Sequence, residues 1–418
     1  MAQTSTSTVS TEWNQRSTTV KGPIQPIQKP YVFVGLLGII ALFTATVIVA
    51  DWVQGILFLI GLALGMALLY ARFGFTSAFR RLVSVGNVQG LQAHMLMLAA
   101  ATTLFAIIFA TGFSFTGTEP TGFVSPVGIS VLVGAFMFGI GMQLGSGCAS
   151  GTLYSVGGGS SSMVLTLLFF IIGSVAGAYH LAFWQGTPQM EPFSLAESTG
   201  FGFFGGWAIQ MALFAAIYFG TVLFARWKNP PMMKPLTTTS GFKKILRGSW
   251  PLFSAAIVLA LLNALVLAIR GTPWGITSAF ALWGGKFLNF IGVDVASWDY
   301  FTGENAAALT DSVLLDTTSV LNFGIILGAF VSAALQGTFN PKRVKPGVAG
   351  ASIIGGLLMG YGARLAYGCN IGAYFGGIAS FSLHGWVWAV MAILGTGLAL
   401  FIRPLFGLTN PTPKDSVC

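Results

Sequence analysis

The sequence predicts an all-α integral membrane protein of about ten transmembrane helices, interrupted by re-entrant half-helices and arranged as an inverted-topology repeat. Three observations carry this. Of the 418 residues, 54% are apolar and only 7% charged, against roughly 25% charged in a soluble domain. So little charge cannot cover a water-facing surface of this size. Apolar runs recur at about 20 residues, the length at which a helix crosses a ~30 Å hydrocarbon core, and they lack the period of two that a β-barrel needs. Finally, two short strings each occur twice. GFTSAF at Gly74–Phe79 returns as GITSAF at Gly275–Phe280, and GAFMFGIGMQLGSGCASG at Gly134–Gly151 returns as GGLLMGYGARLAYGCNIG at Gly355–Gly372.

Residues 1–30 are polar and rich in Ser, Thr and Gln. They predict a disordered tail, and they lack the charged start and small-residue cleavage site of a signal peptide. Crossings are expected at about 31–50, 54–72, 91–113, 127–143, 163–184, 203–226, 249–269, 319–337, 348–364 and 383–405. Segments 73–88, 144–160, 272–292 and 366–381 are too short or too broken to span. They read as re-entrant elements, tolerated at membrane depth only where protein surrounds them. The abundant glycine suits close helix packing and broken helices.

Charge sets the orientation. Basic residues lie before the first crossing (Arg16, Lys21, Lys29), at Arg72, Arg80 and Arg81, from Arg226 to Arg247, at Lys342, Arg343 and Lys345, and at Arg403 and Lys414. Asp51, Glu119, Glu191 and Glu197 occupy the alternate loops, and the 270–318 loop holds five more acids against Arg270 and Lys286. Ten crossings then place every basic loop and both ends in the cytoplasm. The net charge of +9 is thus a topology signal, and no nucleic-acid partner is expected. Both breaks of the first half fall on the cytoplasmic side and both breaks of the second on the outer side, which is an inverted repeat. The expected organisation is a tail at 1–30, a first transmembrane half at 31–226, a basic linker at 227–248, a second half at 249–406 and a tail at 407–418. On this reading 31–50 and 203–226 are additions to the first half.

With Cys148 laid on Cys369, the longer strings agree at Gly134/Gly355, Gly139/Gly360, Gly141/Gly362, Leu144/Leu365, Gly147/Gly368 and Gly151/Gly372. The third cysteine, Cys418, is the last residue. Inverted repeats bring broken helices together near the bilayer midplane. Glycine beside each cysteine lets the chain turn and expose amide N–H groups, and these, with half-helix N-termini, favour anions. A thiol adds a soft, weakly hydrogen-bonding group. A small anion carrying sulfur or selenium is the natural ligand. A lone buried cysteine is usually no more than a small apolar residue; repetition of the whole turn argues for a site.

The candidate contacts are Cys148, Cys369, Gly147, Gly368, Ser146, Tyr367 and Asn370. Arg364 is an ionisable residue in an apolar run and either attracts the anion or satisfies carbonyls. Gln143 holds its place in the first half, so the halves are not equivalent. Thr76, Ser77, Thr277 and Ser278 line the path or cap half-helices. Lys286 steers anions or snorkels. His94, His180 and His384 show no metal-ligand spacing, and no P-loop or paired catalytic carboxylates occur, so no cofactor and no enzyme activity are expected. No acid sits within a crossing to relay protons. Spacing alone does not pair Cys148 with Cys369.

Three strings carry a resemblance: FGFTSAFRR at Phe73–Arg81, GMQLGSGC at Gly141–Cys148 and GYGARLAYGCNIGAYFGGIASFSLHGW at Gly360–Trp386. At these residues, and over most of 54–405, the chain resembles the YeeE/YedE family of bacterial sulfur transport proteins. The resemblance implies an hourglass-like inner-membrane protein with pseudo-two-fold halves that takes up thiosulfate. It also implies cysteines at a central constriction that hand the ion along by weak S–H···S contacts, in the places of Cys148 and Cys369. A TusA-like cytoplasmic sulfur carrier is the implied partner. Many relatives carry a further cysteine just before the Phe-Thr-Ser-Ala-Phe string, where this chain has Gly74. Either two thiols suffice or the substrate differs, and one branch of the family is associated with selenium. The expectation is a permease importing thiosulfate or a similar small sulfur anion. The alternatives are a transporter of another sulfur or selenium species, or a membrane sulfurtransferase that forms a persulfide on Cys148.

Overall fold

The computed structural model describes residues 25–230 and 246–412. Most of the expected N-terminal tail, the centre of the 227–248 linker and the chain end with Cys418 lie outside the described residues. Among the described residues ten helical spans are long and apolar enough to cross a membrane. The protein is an all-α, multi-pass membrane protein, as its charge-poor composition requires.

The helices run in order: α1 Lys29–Val49, α2 Trp52–Ala71, α3 Phe75–Val85, α4 Gln89–Thr111, α5 Ile129–Leu144, α6 Ala149–Gly157, α7 Ser161–Tyr179, the short α8 Leu181–Gln185, and α9 Gly202–Lys228. Then follow α10 Leu252–Arg270, α11 Thr277–Phe290, the short α12 Glu304–Thr310, α13 Thr317–Gln336, α14 Pro346–Leu365, a π-helix at Asn370–Gly377 and α15 Leu383–Ile402. Two two-residue strands, β1 Val127–Gly128 and β2 Gln189–Met190, pair antiparallel between loops.

Local sequence explains the ends. Asp51 caps α2 by accepting from the Gln54 amide at 2.8 Å, and Asp316 caps α13 by accepting from Ser319 at 2.8 Å. Each carboxylate satisfies an amide that the first helical turn leaves free. Arg72 ends α2 in the left-handed conformation, with φ of 47°. The four segments expected to be re-entrant are the short helices α3, α6, α11 and the π-helix with their flanking turns.

Contacts between loops define two faces. On one, Trp250 N donates to Tyr70 O, Arg247 reaches Leu335 O and Gln25 O, and Gln28 reaches Phe339 O. The basic loops gather here. On the other, Gln54 reaches Leu315 O, Phe115 N donates to Ala268 O, and Leu195 N donates to Phe381 O. The acidic loops gather there. The break after α2 therefore lies on the basic face and the break after α10 on the acidic face. Likewise α6 ends beside Phe339, while the π-helix returns to Leu195. The two halves are inverted.

Packing obeys the same two-fold. α2 lies against α13 as α10 lies against α4; α7 lies against α14 as α15 lies against α5; α11 touches α7 as α3 touches α15. At the centre α5 and α14 cross backbone to backbone. A side-chain carbon at Gly134 would stand 2.8 Å from Gly362 O, and one at Gly141 would stand 2.8 Å from Gly355 O. The repeat exchanges these two contacts, because Gly134 matches Gly355 and Gly141 matches Gly362. Without a driving force from water inside the bilayer, such close approach of glycine-lined helices supplies the packing energy. Outside this core, α1 lies on α13 and α9 on α4. Since α4 and α13 are counterparts, the packing pairs α9 with α1.

Candidate functional site

Each Gly-Cys turn joins a crossing helix to a short helix that starts at its cysteine. Cys148 is the N-cap of α6 and Cys369 the N-cap of the π-helix. The residue two before each cysteine is left-handed without being glycine: Ser146 has φ of 62° and Tyr367 has φ of 52°. Gly368 follows at φ of 147°, in the range that glycine tolerates and other residues do not. Non-glycine residues held in this region are uncommon, and the same outlier at both equivalent positions marks a constrained turn. The turns aim the first amides of both short helices inward. The Ile371 amide donates to Cys369 Sγ at 3.4 Å, and the Gly372 amide also faces that sulfur. The matching Gly151 amide faces Cys148 Sγ.

Both thiols are free and buried. α6 touches the π-helix, so the two thiols begin neighbouring short helices. Space adjoins each. A side-chain carbon at Gly372 would meet nothing within 4 Å, and one at Gly151 would meet only Cys148 Sγ at 3.5 Å. The Ser150 hydroxyl lies 3.4 Å from Cys148 Sγ, and the Thr76 hydroxyl approaches the same sulfur.

Several buried polar atoms around this space have no partner among the described residues. They are both amide atoms of Asn370, Oε1 of Gln143, Oγ1 of Thr76 and Nε of Arg364. Asn370 and Gln143 are fully buried. Unsatisfied buried polar groups are rare and destabilising in ordinary cores. Among the described residues such atoms also occur away from the thiols; these five make the surroundings of the sulfurs polar.

The breaks and the Gly-Cys turns are tied together in both halves. Arg364 donates to Thr277 Oγ1 and to the Tyr300 hydroxyl, each at 2.7 Å, and its guanidinium sits over the Tyr300 ring. Gln143, its counterpart, donates to Thr76 O at 3.1 Å and Thr396 Oγ1 at 3.2 Å. Residue 364 thus carries a charge near Cys369 on the acidic-face side of the turn, while residue 143 is neutral. Ser77 closes its own turn by donating to Gly74 O at 2.9 Å. Ser278 is exposed and stands apart from the buried cluster. Lys286 donates to Leu309 O and Asp311 O, pinning the acidic loop.

Two residues emerge that the sequence did not single out. Arg403 is buried and donates to the backbone carbonyl of Gln143, with Asn410 and Thr409 as further acceptors. It puts a cation behind the first Gly-Cys turn. His94 is buried among Phe73, Phe75, Phe79 and Tyr374, the last from the π-helix. Each is a single residue outside the repeats, so no spacing signals it. The histidines stay apart, and no cluster of metal-ligating side chains occurs among the described residues.

This geometry brings two soft sulfurs and the first amides of two short helices to a buried centre, with Arg364 near one turn and Arg403 behind the other. Residues 70–398 match the family model described as sulphur transport. The thiosulfate transporter TsuA of Spirochaeta thermophila is 29% identical over 347 residues, covering 81% of this chain and 95% of that protein. The thiosulfate transporter TsuA of Escherichia coli is 26% identical over 366 residues, covering 82% and 94%. The probable transporter YedE of Escherichia coli is 33% identical over 170 residues, 40% of this chain, and the match spans 42% of YedE's own length. Since the family match runs through both Thr-Ser-Ala-Phe breaks and both Gly-Cys turns, the chain belongs to the sulphur transport family and is a multi-pass membrane transporter rather than an enzyme.

Proposed function

We propose that the protein imports thiosulfate, or a small anion that like thiosulfate bears an exposed sulfur, through the space between Cys369 and Cys148. The observation that carries this reading is the pair of buried thiols, each capping a short helix and each beside unpartnered polar atoms. The proposed setting is the cell inner membrane, with the basic face and both chain ends in the cytoplasm. The proposed division is two inverted halves within 31–226 and 249–406, joined by the 227–248 linker.

The ion approaches from the acidic face, where Arg364 offsets the repulsion of the loop carboxylates. Its oxygens accept from the amides of Ile371 and Gly372 and from Asn370, while its terminal sulfur meets the Cys369 thiol. Soft sulfur contacts replace part of its hydration at a cost that a hard anion such as sulfate cannot recover in the same way. The ion then moves to Cys148, where the Thr76 hydroxyl and the Gly151 amide take over, and leaves by the basic face. No bond forms or breaks, and the thiols stay reduced. A TusA-like carrier receives sulfur on the cytoplasmic side in this scheme.

The sulfurtransferase alternative has less support. A persulfide-forming cysteine needs a thiolate held by a cation or base, whereas Cys148 has Ser150 and Thr76 hydroxyls for neighbours. Labelled-thiosulfate uptake into proteoliposomes, with competing anions, tests the assignment. The expected result is saturable uptake, inhibited by selenium or sulfur anions with an exposed chalcogen and not by sulfate. Equal inhibition by sulfate, or a stable persulfide on Cys148 by mass spectrometry, overturns it.

A further inference from the structure

A cavity of about 310 Å3 opens on the basic face at the first break, between the end of α2, the turn into α3, the start of α4 and the segment before α10. Its wall includes Arg72, Arg81, Ser77, Asn87, Gln89 and His94, and among the described residues no carboxylate. Arg72 is exposed and held left-handed. His94 is only 1% exposed, and its Nδ1 has no partner among the described residues. A buried imidazole nitrogen without a partner is an atom a ligand can satisfy, as donor or acceptor according to the ring's tautomer.

The cavity lies beside elements that carry both thiols. α6, the helix that begins at Cys148, packs on α2, whose end forms part of the wall. His94 lies 4.6 Å, ring to ring, from Phe75 and 5.9 Å from Tyr374 of the π-helix that Cys369 caps. The wall therefore abuts the elements that carry both sulfurs.

We infer that this cavity is a second anion site, taking a tetrahedral oxyanion on the cytoplasmic face through Arg72, Arg81 and His94. Its place in transport rests on the permease reading above; its capacity to bind does not. The oxyanion is either the imported ion on its way out or a cytoplasmic sulfate or phosphate, and all three share the chemistry that arginine and imidazole recognise.

Isothermal titration of the detergent-solubilised full chain with thiosulfate, sulfate and phosphate in turn tests the site. The Cys148→Ala, Cys369→Ala double variant isolates it from the central thiols. Arg72→Asn with Arg81→Gln removes the charges, and asparagine suits the left-handed position 72. The double-alanine protein should still bind an oxyanion, and adding the arginine changes should weaken that binding about tenfold and flatten its salt dependence. Arg72→Lys with Arg81→Lys should restore much of it, which a folding defect would not. Binding of thiosulfate alone marks an exit station, and binding of all three marks a general cytoplasmic site. An unchanged affinity in the arginine variant, or no binding in the double-alanine protein, overturns the inference. Normal uptake by the double-alanine protein sinks the thiol relay and leaves this site standing.

Discussion

Cys148 and Cys369 differ less in themselves than in what stands behind them. Both cap short helices and both follow a left-handed residue. Yet Arg364 stands five residues before Cys369, while neutral Gln143 stands five before Cys148. In the proposed route Arg364 aids capture at Cys369 from the acidic face, while Arg403 holds the Gln143 carbonyl behind the other turn. Arg364→Gln should leave folding intact, because glutamine occupies the equivalent place in the other half. Initial-rate uptake should then show KM for thiosulfate raised about tenfold, with a smaller change in kcat, since one charge-assisted contact is lost. An unchanged KM would confine Arg364 to its bonds with Tyr300 and Thr277. Gly372→Ala probes the space itself. The added methyl meets no atom within 4 Å, so stability should hold or rise by about 0.5 kcal/mol. Uptake should fall several-fold because the methyl narrows the passage; normal uptake would put the ion's route elsewhere. The cysteines, Arg364, Gln143 and the threonines were legible in the sequence because the repeats set them side by side. Arg403 and His94 were not, since what matters there is a backbone carbonyl and an aromatic cage supplied by distant helices.

The broken elements behave as their turns demand. Each of the four segments is bounded by a turn and forms only a short helix, whereas glycine-rich α14 spans unbroken, so the turns and not the glycine content stop a crossing. The sequence predicted their places but not that the one after Cys369 winds as a π-helix. A wider turn of this kind often accompanies functional sites, and here it turns Tyr374 toward His94. The sequence also treated 203–226 as an addition to the first half. Its helix, α9, packs on α4 as α1 packs on α13, and the two outer helices share no motif that would have linked them. The α5–α14 crossing is the element on which the site depends, because it places both Gly-Cys turns. Gly134→Val would drive a branched side chain into the backbone at Gly362 and Ala366. Overpacking of this kind destabilises by about 1–3 kcal/mol or more, so thermal unfolding in detergent should shift markedly downward. Gly397→Val, where nothing lies within 4 Å, should be tolerated. Equal stability of the two variants would contradict the close crossing.

Over the whole molecule, the segregation of charge is as informative as the repeats. The described acids lie in the loops and short helices of one face, and the basic loops gather on the other. That pattern was readable from the chain alone because lipid forbids charge between the faces. The approach of the two Gly-Cys elements was expected from the inverted repeat; the particular helix crossings that position them were not, since no local rule fixes them. An anion crossing such a molecule needs polar and soft groups only at the waist, where the thiols, Asn370 and Gln143 are buried together. The most direct measurement is the initial rate of labelled-thiosulfate uptake by proteoliposomes holding Cys148→Ala or Cys369→Ala protein, reconstituted at matched amounts and checked for folding. Each single variant is expected to lose uptake to near the rate of empty vesicles. Uptake at the unmodified rate in either one would contradict the account.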